Sequence, residues 1–234
     1  MRNIAILLAS GVGARVGAEC PKQFIQINGK YLFEYSVATF NNHMNIDEII
    51  VVCHPDYIDL VKTVVLDRRY LKVKRVVAGG ETRRDSVYNG LFSISYEEGN
   101  VLIHDTARPF VTSAMIDRVL GGLESYSAVS TVLPATDTMF VLNEDYNVAK
   151  IPNRKELARV QTPQGFYLNT IRKAHYLAQK DNLTFATDDC GLIAYYKLAE
   201  IHTVEGDEMA LKVTTPVDLI FAKSLADNLS ILNS

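Results

Sequence analysis

A glycine-rich segment carrying two cations follows the first apolar run of this chain: Ser10-Gly11-Val12-Gly13-Ala14-Arg15, then Pro21-Lys22-Gln23-Phe24. Glycines let backbone N–H groups come close to phosphate oxygens. Arg15 can grip a phosphate with two parallel hydrogen bonds, and Lys22 adds a point charge. Several patterns compete for this spacing. Gly11, Gly13 and Gly17 roughly match a dinucleotide-binding GxGxxG, but no helix can run on through Pro21. The second strand also ends in His54-Pro55, where such a fold places an acid for the ribose. A Walker A loop needs Gly-Lys-Ser/Thr opening a helix, and none follows these glycines. A sugar-nucleotide-transferase loop would wrap its glycines around a triphosphate and bring up a Lys after a Pro. A plain turn with solvated cations stays open beside it.

Further polar clusters follow later apolar runs. Gly79-Gly80-Glu81-Thr82-Arg83-Arg84-Asp85-Ser86-Val87 suits recognition of a base or phosphate at a helix N-terminus, or equally a turn capped by Asp85 or Ser86. In His104-Asp105-Thr106-Ala107-Arg108-Pro109, the Asp is placed to hold a metal–triphosphate or a ribose hydroxyl, with Arg108 as a second cation. A local Asp–Arg pair closing a loop is the plainer alternative, and His104 reads as a packed strand-end side chain rather than a base. Thr136-Asp137-Thr138, Gln161-Thr162-Pro163-Gln164 and Thr187-Asp188-Asp189 supply small polar groups, and Lys212-Val213-Thr214-Thr215-Pro216 precedes a last helix. No GxSxG elbow is present, and the five His and three Cys never fall at zinc-ligand spacing, so covalent-nucleophile and zinc chemistry are not suggested.

These clusters need a scaffold that gathers strand ends. Apolar runs of strand length occur at Ile4–Ala9, Ile49–Cys53, Val73–Ala78, Val101–His104 and Ala128–Leu133. Their apolarity is continuous, as in parallel strands covered on both faces. Helical spacing is expected over Leu32–Asn41, Asp56–Leu66, Asp85–Tyr96 and Thr112–Tyr126, the last capped by Thr112 or Ser113. The alternation predicts one doubly wound, mostly parallel α/β sheet, which binds ligands beyond the carboxyl ends of its strands. Met139–Leu142 and Val148–Ile151, joined by Asn143–Asn147, read instead as a hairpin arm projecting from the sheet.

Composition sets outer limits. The 234 residues are 48% hydrophobic and 22% charged, ordinary for one globular unit spanning 1–234. A net charge of -3 argues against general nucleic-acid binding. Cys20, Cys53 and Cys190 lack CxxC spacing and read as reduced thiols, which suits a cytoplasmic protein. The first apolar run stops after six residues, too short for a signal peptide, and no run reaches membrane-spanning length.

Together, and in order along nearly the whole chain, these clusters resemble the cytidylyltransferase family that makes 4-diphosphocytidyl-2-C-methyl-erythritol in isoprenoid biosynthesis, and its relatives acting on ribitol 5-phosphate. The resemblance implies a Rossmann-like nucleotidyltransferase fold and transfer of a cytidylyl group from CTP to a polyol phosphate, aided by Mg²⁺ held at Asp105. Arg15, Lys22, Asp105 and Lys212 would carry the chemistry. Ser10, Gly11, Gly13, Gly80, Glu81, Arg83, Ser86, Asp105 and Thr106 would bind the nucleotide. Arg108, Thr138, Arg154, Thr162, Thr187 and Lys212 would bind the acceptor, with Arg108 and Thr138 reaching a neighbouring subunit's site. An arm near 139–158 would make a homodimer. Ser10, Val16, Thr106 and Ala210 stand where the family usually has Ala or Gly, Met, Ala and Asn. The acceptor expected is 2-C-methyl-D-erythritol 4-phosphate, with ribitol 5-phosphate as the alternative. A non-catalytic nucleotide-sensing module on the same fold is the rival from another class, and retention of Arg15 and Lys22 beside Asp105 favours an enzyme over it.

Overall fold

The computed structural model describes residues 1–11, 20–183 and 186–232. Its elements run β1 (Asn3–Ala9), β2 (Gln26–Ile27), β3 (Lys30–Tyr31), α1 (Leu32–Asn42), β4 (Glu48–Cys53), α2 (Ile58–Asp67), β5 (Val73–Ala78), α3 (Arg83–Phe92) and β6 (Asn100–Asp105). Then come α4 (Ser113–Gly122), β7 (Ala128–Pro134), β8 (Val141–Leu142), β9 (Val148–Lys150), β10 (Ala158–Tyr167), α5 (Leu168–Lys180), α6 (Asp189–Tyr195), β11 (His202–Glu205) and α7 (Pro216–Leu232). The main sheet has seven strands in the order β11-β7-β10-β6-β1-β4-β5. Every neighbouring pair is parallel except those made by β10, which runs against both β6 and β7.

Alternation along β1 shows how both faces are filled. Ala5, Leu7 and Ala9 pack with Phe33, Val37 and Phe40 of α1, Val61 of α2 and Val119 of α4. Ile4, Ile6 and Leu8 point the other way, toward Val87 and Leu91 of α3, Ile171 of α5 and Ile193 of α6. Neither face of β1 meets water, which is why the strand reads as an unbroken apolar run. A smaller core joins Ile27, Leu32 and Phe110 to Val213, Ala222 and Ala226, and so docks α7 against β2 and the start of α1.

The sheet and the hairpin follow the sequence expectation, and two details differ. The helix expected to open at Asp85 or Ser86 starts at Arg83, with Thr82 as its cap. Thr82 Oγ1 accepts from Asp85 N at 3.1 Å, while Asp85 accepts from Thr82 N at 3.1 Å. This reciprocal arrangement satisfies two helix-end donors, and Asp85 is its third helical residue rather than its cap. The polar segment Gln161–Gln164, read from the sequence only as a source of small polar groups, lies inside β10, with Gln161, Thr162 and Gln164 buried. Within the same strand, a Cβ on Gly165 would come within 2.4 Å of Val119 Cγ1, so α4 lies directly on the backbone there.

Candidate active site

The carboxyl ends of β1, β5 and β6 surround a cleft of about 760 Å³. Ser10 and Gly11 follow β1, Gly79 to Arg83 follow β5, Asp105 ends β6, and Lys22 and Lys212 come in from two further segments. Adjacent parallel strands that diverge to helices on opposite faces leave such an opening at their carboxyl ends.

The first two loops are locked together before any ligand arrives. Ser86 Oγ accepts from Ser10 Oγ at 2.8 Å and from Gly80 N at 3.1 Å, and donates to Thr82 O at 3.0 Å. A Cβ on Gly79 would sit 2.4 Å from Ser10 Cβ, so only glycine allows this contact. Ser86 therefore lines the cleft with its hydroxyl already engaged, and Glu81 stands exposed at the rim.

Asp105 is the electrostatic centre. Its Oδ1 accepts from Arg83 Nε at 3.0 Å and its Oδ2 from Lys212 Nζ at 2.8 Å. Burial alone would raise its carboxyl, but the Arg83 and Lys212 cations outweigh that and hold it well below the usual carboxylate range. Arg83 also donates through Nη1 to Asp189 Oδ2 at 2.8 Å, and Asp189 Oδ1 meets His175 Nε2 at 2.9 Å. Burial disfavours the Arg83 charge, and the two carboxylates more than restore it. Burial likewise opposes ionisation of Asp189, whose carboxyl is nevertheless lowered, chiefly by Arg83. Lys22 Nζ donates to Val213 O at 2.7 Å, next to Lys212 in sequence.

The structure thus gathers Ser10, Gly11, Lys22, Gly80, Glu81, Arg83, Ser86, Asp105 and Lys212 around one cleft. Gly13 and Arg15 lie outside the described residues. Other sites named from the sequence are elsewhere. Thr106 is buried with its hydroxyl donated to Leu8 O at 2.8 Å, tying β6 to β1 beneath the cleft floor. Thr162 is buried in β10, where it accepts from Asp105 N at 3.1 Å. Arg108 is fixed by Ala210 O at 2.9 Å and Val160 O at 3.2 Å. Thr187 is exposed just before α6 and does not line the cleft. Thr138 and Arg154 flank the hairpin, both exposed, with Arg154 Nη1 donating to Thr136 O at 3.0 Å.

Two participants escaped the sequence reading. Asp189 was visible only as part of a small polar run, and its burial against Arg83 depends on α6 docking on the sheet. His175 sits on the apolar face of α5 and gives no local sign of its partner. His54 and Pro55, noticed only as the end of a strand, form part of the cleft wall.

Comparison with known proteins agrees with this architecture. Residues 3–227 match the family model described as IspD: 2-C-methyl-D-erythritol 4-phosphate cytidylyltransferase. A 2-C-methyl-D-erythritol 4-phosphate cytidylyltransferase of Clostridium botulinum is 37% identical, covering 98% of this chain and 99% of its own length. A ribitol-5-phosphate cytidylyltransferase of Vibrio parahaemolyticus is 35% identical, covering 96% of each chain. The crystal structure of a 4-diphosphocytidyl-2C-methyl-D-erythritol synthase from Anaerococcus prevotii superposes with a TM-score of 0.86 at 28% identity, over 97% of this chain and 98% of that one. A match of this extent in sequence and in fold places the chain as a member of the 2-C-methyl-D-erythritol 4-phosphate cytidylyltransferase family.

Proposed function

We propose that the chain transfers a cytidylyl group from CTP to 2-C-methyl-D-erythritol 4-phosphate and releases pyrophosphate. The observation that supports this most is the cleft itself, where Arg83 and Lys212 hold the Asp105 carboxylate and Lys22 lines the same opening. An acceptor phosphate oxygen attacks the α-phosphorus of CTP in line. A new P–O bond forms, the bond to the β-phosphate bridging oxygen breaks, and pyrophosphate leaves with that electron pair. The nucleophile is already an anion near neutral pH, so no general base is required. Catalysis is then positioning and charge stabilisation, which suits a site of cations, loop amides and few carboxylates.

Lys22 and Arg15 stabilise charge developing at the α-phosphate. Gly11, Gly13 and Ser10 shape the triphosphate loop, while Gly80, Glu81 and Ser86 face the base. Arg83 holds Asp105 in place against the ribose side. Lys212 meets the acceptor phosphate, and Arg108 reaches the acceptor of a neighbouring subunit.

Magnesium fits this arrangement in one particular way. Among the described residues no group of three or more His, Cys, Asp or Glu side chains can hold a metal ion. Asp105 offers one ionised carboxylate in the cleft, which suits a cation bound mainly through phosphate oxygens. Bound there, Mg²⁺ supplies neutralisation of triphosphate charge. Asp105 would hold the ion from the protein side, and Lys212, paired with Asp105 here, would stand beside the phosphates.

We further propose a cytoplasmic homodimer. Met139, Phe140, Val141, Leu142 and Val148 are each about half exposed on the hairpin, and Tyr146 and Ile151 more so. A two-stranded arm cannot bury such surface alone, and a second copy related by a two-fold axis can. Thr138 and Arg154 would then serve the partner's acceptor site.

Ribitol 5-phosphate is the second reading, favoured by the Vibrio parahaemolyticus relative. Both acceptors present a phosphate on a short polyol, and one methyl group is worth only about 1–3 kcal/mol of discrimination. The deciding measurement is kcat/KM with CTP for each acceptor at matched concentration. A clear preference for ribitol 5-phosphate would overturn the acceptor chosen here, and turnover of neither would overturn both.

A further inference from the structure

His104 is fully buried at the end of β6, packed against the Phe40 ring, directly before Asp105. Both its ring nitrogens have partners. Nε2 lies 3.0 Å from Arg108 O, and Nδ1 lies 3.0 Å from Thr162 Oγ1. A carbonyl can only accept, so Nε2 must carry the hydrogen. In the neutral ring Nδ1 is then an acceptor, and the Thr162 hydroxyl must donate to it. That hydroxyl in turn accepts from the Asp105 N–H at 3.1 Å. Only one orientation satisfies the whole chain: Asp105 N–H to Thr162 Oγ, Thr162 O–H to His104 Nδ1, His104 Nε2–H to Arg108 O. Burial keeps the ring neutral, pushing it down to about 4, which agrees with this assignment.

The chain fixes both ends of the turn that carries Asp105 and Arg108. Thr162 holds the backbone where the Asp105 side chain departs, and His104 holds the backbone at Arg108. We infer that His104 and Thr162 are positioning residues, which aim Asp105 at the nucleotide and Arg108 at the acceptor without touching either substrate. The inference rests on the proposed roles of Asp105 and Arg108. For Thr162 it replaces the contact that family resemblance implies, because its hydrogen and one lone pair are already engaged inside the protein.

Four variants separate the two halves of the relay. Thr162→Val keeps the side-chain shape and removes the group that holds Asp105 N–H, whereas Thr162→Ser keeps the hydroxyl. His104→Asn keeps an acceptor near the Nδ1 position and loses the donor to Arg108 O, and His104→Gln does the reverse. With one hydrogen bond lost, Thr162→Val should lower kcat about tenfold with acceptor KM unchanged, and His104→Asn should raise acceptor KM about tenfold with a smaller change in kcat. His104→Gln should resemble Thr162→Val, and Thr162→Ser should stay within about twofold of native. Thermal unfolding of each variant is measured alongside, and the Thr162 pair suffices if the His104 variants do not fold.

Native kinetics in Thr162→Val would overturn the inference. So would losses in kcat and KM that move together and follow thermal stability, which would mark a merely structural role. Asp105→Asn and Arg108→Ala are run in parallel. If these two behave as native, the roles on which the inference rests fail and the inference fails with them. If they are defective while Thr162→Val is native, only the relay is wrong.

Discussion

Asp105 holds a different cation on each of its two oxygens, while Lys22 approaches the same cleft from a separate segment and is anchored by a carbonyl. This division matters for mutation. Removing Lys22 takes away a charge donor that lines the cleft and donates to the Val213 carbonyl. Lys22→Ala should lower kcat about a hundredfold or more, as loss of one preorganised donor does, while the protein stays folded. Steady-state kinetics beside thermal denaturation checks both halves, and near-normal turnover would remove Lys22 from the chemistry. Residues at this scale were legible where a strand end and a charged type coincided, as at Asp105, or where a lysine stood in a polar run, as at Lys22 after Pro21 and Lys212 before the last helix. Thr106 and Thr162 misled for the opposite reason. A small hydroxyl residue after a strand reads alike whether it faces a ligand or caps a neighbouring backbone group, and here both face inward.

Strands such as β1 and β4 were readable as elements because burial on both faces leaves an unbroken apolar signature. By contrast β5, at the sheet edge, carries Lys74 and Arg75, and the short parallel edge strand β11 gave no such signal. The tenth strand lacks it too. Its buried Gln161, Thr162 and Gln164 hydrogen-bond to the backbone of Asp207, to the backbone of Asp105 and to the Asp188 side chain, so polar residues sit where apolar ones were expected. Its Gly165 is a matter of space. A methyl group there would press on Val119 and Leu123, and a valine side chain has little freedom to move aside. Gly165→Ala should cost about 1–3 kcal/mol by overpacking, read as a lower urea midpoint at constant slope. A stability equal to native would show that α4 can lift from the sheet. For the hairpin, Leu142→Asp places a charge on the exposed apolar surface without touching the main sheet. Under the dimer proposed above, light scattering should then report a monomer, and acceptor KM should rise while the protein stays folded. A dimer that survives this change uses another surface.

Across the whole molecule, acid should act in two stages. His104 is held neutral, with its folded value near 4 against an ordinary 6.5. As pH falls from 6.5 toward 4 the unfolded chain takes up a proton that the native protein refuses, so stability decreases over that window. Asp85, Asp189 and Asp218 all have lowered carboxyls, against an ordinary 3.8. Their contribution is present above that value and is lost as pH falls below it. Urea unfolding measured down this range should show the first decline near neutral pH, and its removal in His104→Gln. No described helix is long and apolar enough to cross a membrane. The arm with Thr138 and Arg154 stands apart from the cleft with Lys22 and Asp105, and this separation has a genetic consequence. If each arm completes the other subunit's site, two defective copies can repair one another. A Lys22→Ala subunit keeps a sound arm and an Arg154→Ala subunit keeps a sound cleft, so every mixed dimer regains one whole site. Random pairing on co-expression makes half the dimers mixed, returning about a quarter of native activity from two nearly inactive parents. Lys22→Ala paired with Asp105→Asn, both in the cleft, should return none.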